Sequence, residues 1–95
     1  MRKYEVMYIV RPDAEEQAFQ AAVEKFQTII TNGGGEVTKS EVMGKRRLAY
    51  EIKKLRDGFY VLVNFTAEPA VVAELERVMK ISDEVIRYLI INDVA

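Results

Sequence analysis

Cysteine and histidine are both missing from this 95-residue chain, and the two absences exclude a good deal of chemistry. Without cysteine there is no disulfide, no thiolate zinc site and no thiol nucleophile, and such a chain suits a reducing compartment. Without histidine the commonest general base near neutral pH is gone, together with Ser–His arrangements and most transition-metal sites. Only carboxylates, lysine and tyrosine remain for catalysis, so no enzyme, no metal and no cofactor is expected. Long apolar runs are missing as well. No stretch approaches the roughly 20 residues of a membrane span, and the opening Met1-Arg2-Lys3-Tyr4-Glu5 lacks the apolar run of a signal peptide. A cytoplasmic protein with no membrane partner is expected.

What is present suits one globular domain spanning 1–95. The chain is 49% hydrophobic and 31% charged, a composition that folds without crosslinks, and its length fills one small domain rather than two. The net charge of −1 says little about partners, but its distribution says more. Between Lys39 and Arg56 lie seven of the fourteen basic residues against only Glu41 and Glu51. That window carries +5 and the remainder −6. A local basic site on an acidic body results.

Apolar periodicity sets the elements. Tyr4, Val6, Tyr8 and Val10 alternate with Lys3, Glu5, Met7 and Ile9, as in a half-buried strand. Asp13 with Glu16 three residues later reads as a capping-box helix start. Phe19, Val23, Phe26 and Ile30, joined by Ala22 and Ile29, give a helical stripe that runs to about Asn32, where Gly33-Gly34-Gly35 stops it. A long second strand is expected over about 36–53, with a bulge or bend at Gly44. Asp57-Gly58 reads as a hairpin turn, followed by a third strand in which Phe59, Val61, Val63 and Phe65 alternate with Tyr60, Leu62 and Asn64. Pro69 opens a second helix with Val72, Leu75 and Met79 on its inner stripe, and Val85 to Ile91 is a fourth strand.

The order β-α-β-β-α-β is the ferredoxin-like split βαβ pattern, an α+β sandwich with both helices on one face of a four-stranded antiparallel sheet. The first and third strands are then central, and the other face of the sheet is open. Phasing the strands by alternation puts Tyr4, Val6, Val61, Val63, Leu48 and Tyr50 in the core. The open face then carries Lys3, Met7, Tyr60, Leu62, Arg47, Arg87, Leu89 and Ile91, apolar in the middle and basic at its margins.

Lys45-Arg46-Arg47 and Lys53-Lys54-Leu55-Arg56 bracket Leu48-Ala49-Tyr50-Glu51-Ile52. Arginine forks and mobile lysine charges in register along a strand fit phosphate oxygens. Edge strands also carry such charges merely to prevent edge-to-edge association, and composition alone does not separate the two readings. The unbroken run Gly44-Lys45-Arg46-Arg47-Leu48-Ala49-Tyr50-Glu51-Ile52-Lys53 resembles the signature of the bacterial small-subunit ribosomal protein six family. The likeness extends over the chain through Met1 to Glu5, Asp57-Gly58-Phe59-Tyr60 and Val85-Ile86-Arg87-Tyr88. It implies a structural constituent of the 30S subunit. Its implied partners are 16S ribosomal RNA and the eighteenth small-subunit ribosomal protein, the latter as a heterodimer. Carried over by position, the expected RNA contacts are Arg2, Lys3, Arg46, Arg47, Lys53, Lys54, Arg56 and Arg87, mostly to phosphate. The apolar open-face residues Met7, Tyr60, Leu62, Leu89 and Ile91 are the expected protein-partner contacts. Some relatives of that family carry a longer acidic C-terminal tail, and with the chain ending at Asn92-Asp93-Val94-Ala95 no tail-dependent property is expected.

Other features read as structural. Gly33-Gly34-Gly35 ends a helix and starts none, so it is no phosphate cradle. Asp13, Glu15 and Glu16 suit the positive end of a helix dipole better than a metal. Phe59 and Phe65 read as core, because Tyr60 and Val61 break the aromatic spacing of an RNA-recognition motif. An acylphosphatase-like site would need a glycine-rich anion loop after the first strand, where Ile9-Val10-Arg11-Pro12 has only the arginine. A small-molecule-sensing regulatory module of the same topology is the alternative reading.

Overall fold

A computed structural model describes residues 1–52 and 54–92. Lys53, an expected RNA contact, and the stretch 93–95 lie outside the described residues. The elements are β1 (Arg2–Val10), α1 (Glu16–Asn32), β2 (Glu36–Ile52), β3 (Leu55–Ala67), α2 (Pro69–Ile81) and β4 (Val85–Asn92). The strands form one antiparallel sheet in the order β2-β3-β1-β4, with β1 and β3 central as the element order predicts.

The alternation of β1 decides where the core sits. Tyr4, Val6 and Tyr8 are buried opposite Phe65, Val63 and Val61 of β3, and the two helices cover this wall. From α1 come Ala22, Phe26 and Ile30, with Phe19, Val23 and Ile29 half-buried beside them. α2 contributes Val71, Leu75 and Met79, so the innermost residue of its first turn is Val71 rather than Val72. Tyr8 meets Phe26 edge-on with ring centroids 5.1 Å apart, and Tyr4 stacks on Phe65 at 5.6 Å. Each fully buried side chain of this size contributes roughly 1.5 to 3 kcal/mol. Across the end of the helix layer, Lys25 Nζ donates to Ser82 Oγ at 3.1 Å and to Glu84 Oε1 at 3.0 Å, tying α1 to the turn before β4.

The capping box does not form. α1 starts at Glu16 with Glu15 as its cap residue and no side-chain cap bond. Asp13 instead accepts from Arg11 Nε at 3.2 Å, so the local turn around Pro12 takes the carboxylate that a cap would have used. The other end of the helix is as expected: the Gly33 N–H donates to the Ile29 carbonyl and the chain turns away.

The β2–β3 hairpin departs from the sequence reading twice. Ile52 pairs with Leu55, so the hairpin closes there, and Asp57-Gly58 lies inside β3 opposite Arg47 and Arg46. Gly58 is required by packing rather than by a turn. A Cβ at that position would collide with Ile9 Cγ2 and lie 3.1 Å from the Val10 carbonyl oxygen.

The second departure starts at Gly44, where φ is +88° and the register slips between Val42 and Gly44, the bulge that the glycine predicts. A one-residue slip moves every later side chain to the other face. Leu48 therefore packs on the side away from the helices, buried with Ile9 and Ile86 and flanked by Ile52, Leu55 and Tyr60. Tyr50 is exposed rather than in the core. Arg47 lies opposite Asp57 on the helix side of the strand, while Arg46, opposite Gly58, takes the open-face side.

Candidate nucleic-acid interface

β1 ends at Val10 opposite Phe59. Residues 55–58 of β3 and their partners on β2 therefore run past the sheet as a two-stranded ribbon. The cluster of Leu48, Ile9 and Ile86 holds that ribbon against the open face. A strand twisted at a bulge and pinned from beneath presents its charges on a fixed frame.

Those charges are concentrated. Lys45, Arg46, Arg47 and Arg56 line, with Asp57, a surface depression of about 450 Å³. Lys45 Nζ stands 3.8 Å from Asp57 Oδ2, and Arg56 Nε stands 3.8 Å from Glu51 Oε2. Both contacts are solvent-exposed and worth about 0 to 1 kcal/mol, so a phosphate can replace either carboxylate cheaply. Among the described residues Arg46 and Arg47 make no ion pair. Lys54 sits exposed at the tip with φ 66°.

Of the expected RNA contacts, the structure brings together Arg46, Arg47, Lys54 and Arg56 on the ribbon and adds Lys45 to them. Arg87 joins from β4 by donating to the Tyr50 hydroxyl, with its guanidinium carbon 5.9 Å from the centre of that ring. Arg2 and Lys3 stand apart. They pair with Ala67 and Thr66 at the far end of β3, about 30 Å along the strand from Asp57 at ~3.4 Å per residue. Tyr50 was missed in the sequence, where plain alternation places it inside. Carrying the Gly44 bulge through the phase would have put it outside.

The open face gathers the five expected partner contacts. Leu62, Met7 and Leu89 lie in one row across β3, β1 and β4. The next row holds Tyr60, Ile9 and Arg87, and the row on the other side holds Asn64, Glu5 and Ile91. Leu89 is 51% and Ile91 47% exposed. Met7, Ile9, Tyr60 and Leu89, with Arg87 and the stretch of β4 at Tyr88, line a depression of about 240 Å³.

The sequence model of the family described as ribosomal protein S6 matches residues 3–92. The chain belongs to the ribosomal protein S6 family. The small ribosomal subunit protein bS6 of Exiguobacterium sibiricum is 57% identical over 93 residues, covering 98% of this chain and 98% of its own. That of Moorella thermoacetica is 59% identical over 90 residues, covering 95% of this chain and 92% of its own. The crystal structure of 30S ribosomal protein S6 from Thermotoga maritima superposes with a TM-score of 0.92 at 34% identity, covering 97% of this chain and 87% of that one. As an S6-family chain it is a small-subunit ribosomal protein of the cytoplasm, in a family that is not one of enzymes. The family resemblance carried by the run from Gly44 to Lys53 and the ferredoxin-like architecture are both borne out.

Proposed function

We propose that this S6-family chain works as a scaffold in the 30S subunit, with no reaction to catalyse. The β2–β3 ribbon binds 16S ribosomal RNA, and the open sheet face binds the eighteenth small-subunit ribosomal protein as a heterodimer. Residues 1–95 act in this reading as one domain.

The observation that carries the RNA half is the pair Arg46 and Arg47, which have no carboxylate partner among the described residues although they sit in a depression with Lys45 and Arg56. Cations so placed are poised for phosphate oxygens, and arginine does this with a planar fork. Lys54 at the hairpin tip and Arg87 at the ribbon's base extend the same field, and Lys53 falls in the same segment. Arg2 and Lys3, at the other end of the sheet, serve in this reading only where the RNA also passes that end. The partner half rests on Met7, Leu62, Leu89, Ile91 and Tyr60 lying side by side on a face that neither α1 nor α2 covers.

Replacing Arg46 and Arg47 together with glutamate tests the RNA half. The variant is expected to fold, since both residues are exposed and surface changes of this kind usually shift stability by no more than about 0.5 kcal/mol. It is expected to be lost from 30S particles in a sucrose gradient. A variant that enters particles as efficiently as the parent would overturn the assignment.

A further inference from the structure

We infer that Tyr50 is a stacking platform for one unpaired nucleobase of the bound RNA. The inference rests on the RNA-binding reading above and names the chemistry of one contact within it.

Among the described aromatic residues Tyr50 alone is exposed, at 61%. An aromatic ring left in water gives up the burial that its size could have brought, yet this ring is not loose. Arg87, 37 residues further along the chain on a different strand, donates to its hydroxyl and places a guanidinium over the ring at 5.9 Å. That hydrogen bond ties down the hydroxyl end of the ring, while the residue stays 61% exposed. Holding an aromatic ring in place beforehand removes the ordering cost that stacking would otherwise incur.

The surroundings select a nucleotide over an apolar peptide. Tyr50 lines a cleft of about 190 Å³ with Arg47, Leu48, Glu51 and Arg56, so two arginines share the depression with it. A ring with cations beside it matches a base with its phosphates, the combination used by single-strand binding surfaces. The apolar row of Met7, Leu62 and Leu89, where a protein partner would seat, lies further along the sheet. A purely mechanical alternative makes Tyr50 a strut that braces the ribbon against β4. A strut needs the Arg87 hydrogen bond, whereas a platform needs the ring.

The test uses the chain assembled with its protein partner and a fragment of the 16S central domain, with RNA affinity measured as a function of salt. Tyr50→Phe keeps the ring and is expected to bind within about threefold of the parent. Tyr50→Leu keeps an apolar body without a π face and is expected to lose about fivefold to a hundredfold in affinity. Its salt slope should be unchanged, because no phosphate contact is removed. The chain contains no tryptophan, so Tyr50→Trp installs its sole indole, and that fluorescence should be quenched when RNA is added to the assembled pair. Tyr50→Leu binding RNA as tightly as the parent, or an unquenched indole, overturns the platform. So does a loss in Tyr50→Leu that is matched by weaker heterodimer formation without RNA, which would assign the ring to the protein partner. Failure of the RNA reading itself looks different: the double glutamate variant at Arg46 and Arg47 would then retain RNA binding.

Discussion

Tyr8 occupies the centre of the sheet with no exposed surface, and its hydroxyl finds no hydrogen-bond partner among the described residues. Burial disfavours the phenolate and pushes the pKa of the group upward, so the hydroxyl stays neutral at any ordinary pH. A neutral hydroxyl without a partner still costs about 1 to 3 kcal/mol of desolvation. The ring is what stabilises, through its edge-on contact with Phe26. Tyr8→Phe is therefore expected to stabilise the protein by about 1 kcal/mol, read as a higher urea midpoint at an unchanged slope. A lower midpoint would mean that the hydroxyl has a partner that the packing does not reveal.

At the scale of elements, the ribbon depends on how closely β3 lies over the end of β1. Gly58 permits that approach, since its missing Cβ leaves the space that Ile9 Cγ2 fills and Ile86 Cδ1 borders at 3.4 Å. Ile9 is β-branched and cannot swing its Cγ2 aside without leaving its rotamer. Gly58→Ala is expected to cost about 1 to 3 kcal/mol by overpacking, measured in chemical denaturation, and Gly58→Ala combined with Ile9→Ala should recover part of the loss. No recovery would place the strain at the Val10 carbonyl instead.

The same region marks where local signals in the sequence stopped being sufficient. β1 was legible throughout, because nothing interrupts its alternation from Tyr4 to Val10. The helix stripes were legible to within one residue on α2, and Pro69 marked its start. β2 was read correctly in extent but in the wrong phase after Gly44, because a bulge is a single event whose consequence is inherited by every residue beyond it. The segment expected to bury Leu48 and Tyr50 together buries only Leu48, on the opposite face. Asp57-Gly58 has the composition of a turn, and the reason for its glycine is Ile9, 49 residues earlier in the chain. That is a tertiary fact with no local trace. The capping box failed for a nearer reason, since Arg11 competes for Asp13.

For the whole molecule, the uneven charge of the chain becomes a division of labour in space. Cations gather on the ribbon beyond one end of the sheet, and the apolar rows of the open face lie across its middle, so the two proposed partners meet different surfaces of one rigid sheet. Leu89 is half-exposed at the outer strand of that face. Leu89→Asp is expected to leave folding within about 0.5 kcal/mol of the parent while weakening the heterodimer at least about tenfold, since a buried unpaired carboxylate at an apolar contact is costly. Arg46→Gln with Arg47→Gln should leave the heterodimer intact. It should also reduce the salt dependence of RNA binding by about 0.7 to 0.9 log units per log unit of salt for each phosphate that the variant no longer neutralises. Leu89 lies on β4 and Arg46 and Arg47 on the β2–β3 ribbon, and substitutions at sites that do not touch usually add, so the triple variant should show the two losses side by side. A triple variant whose RNA affinity falls well below the sum would mean that the surfaces communicate. Arg87 is where that coupling would run, for it borders the apolar depression and holds Tyr50 on the ribbon.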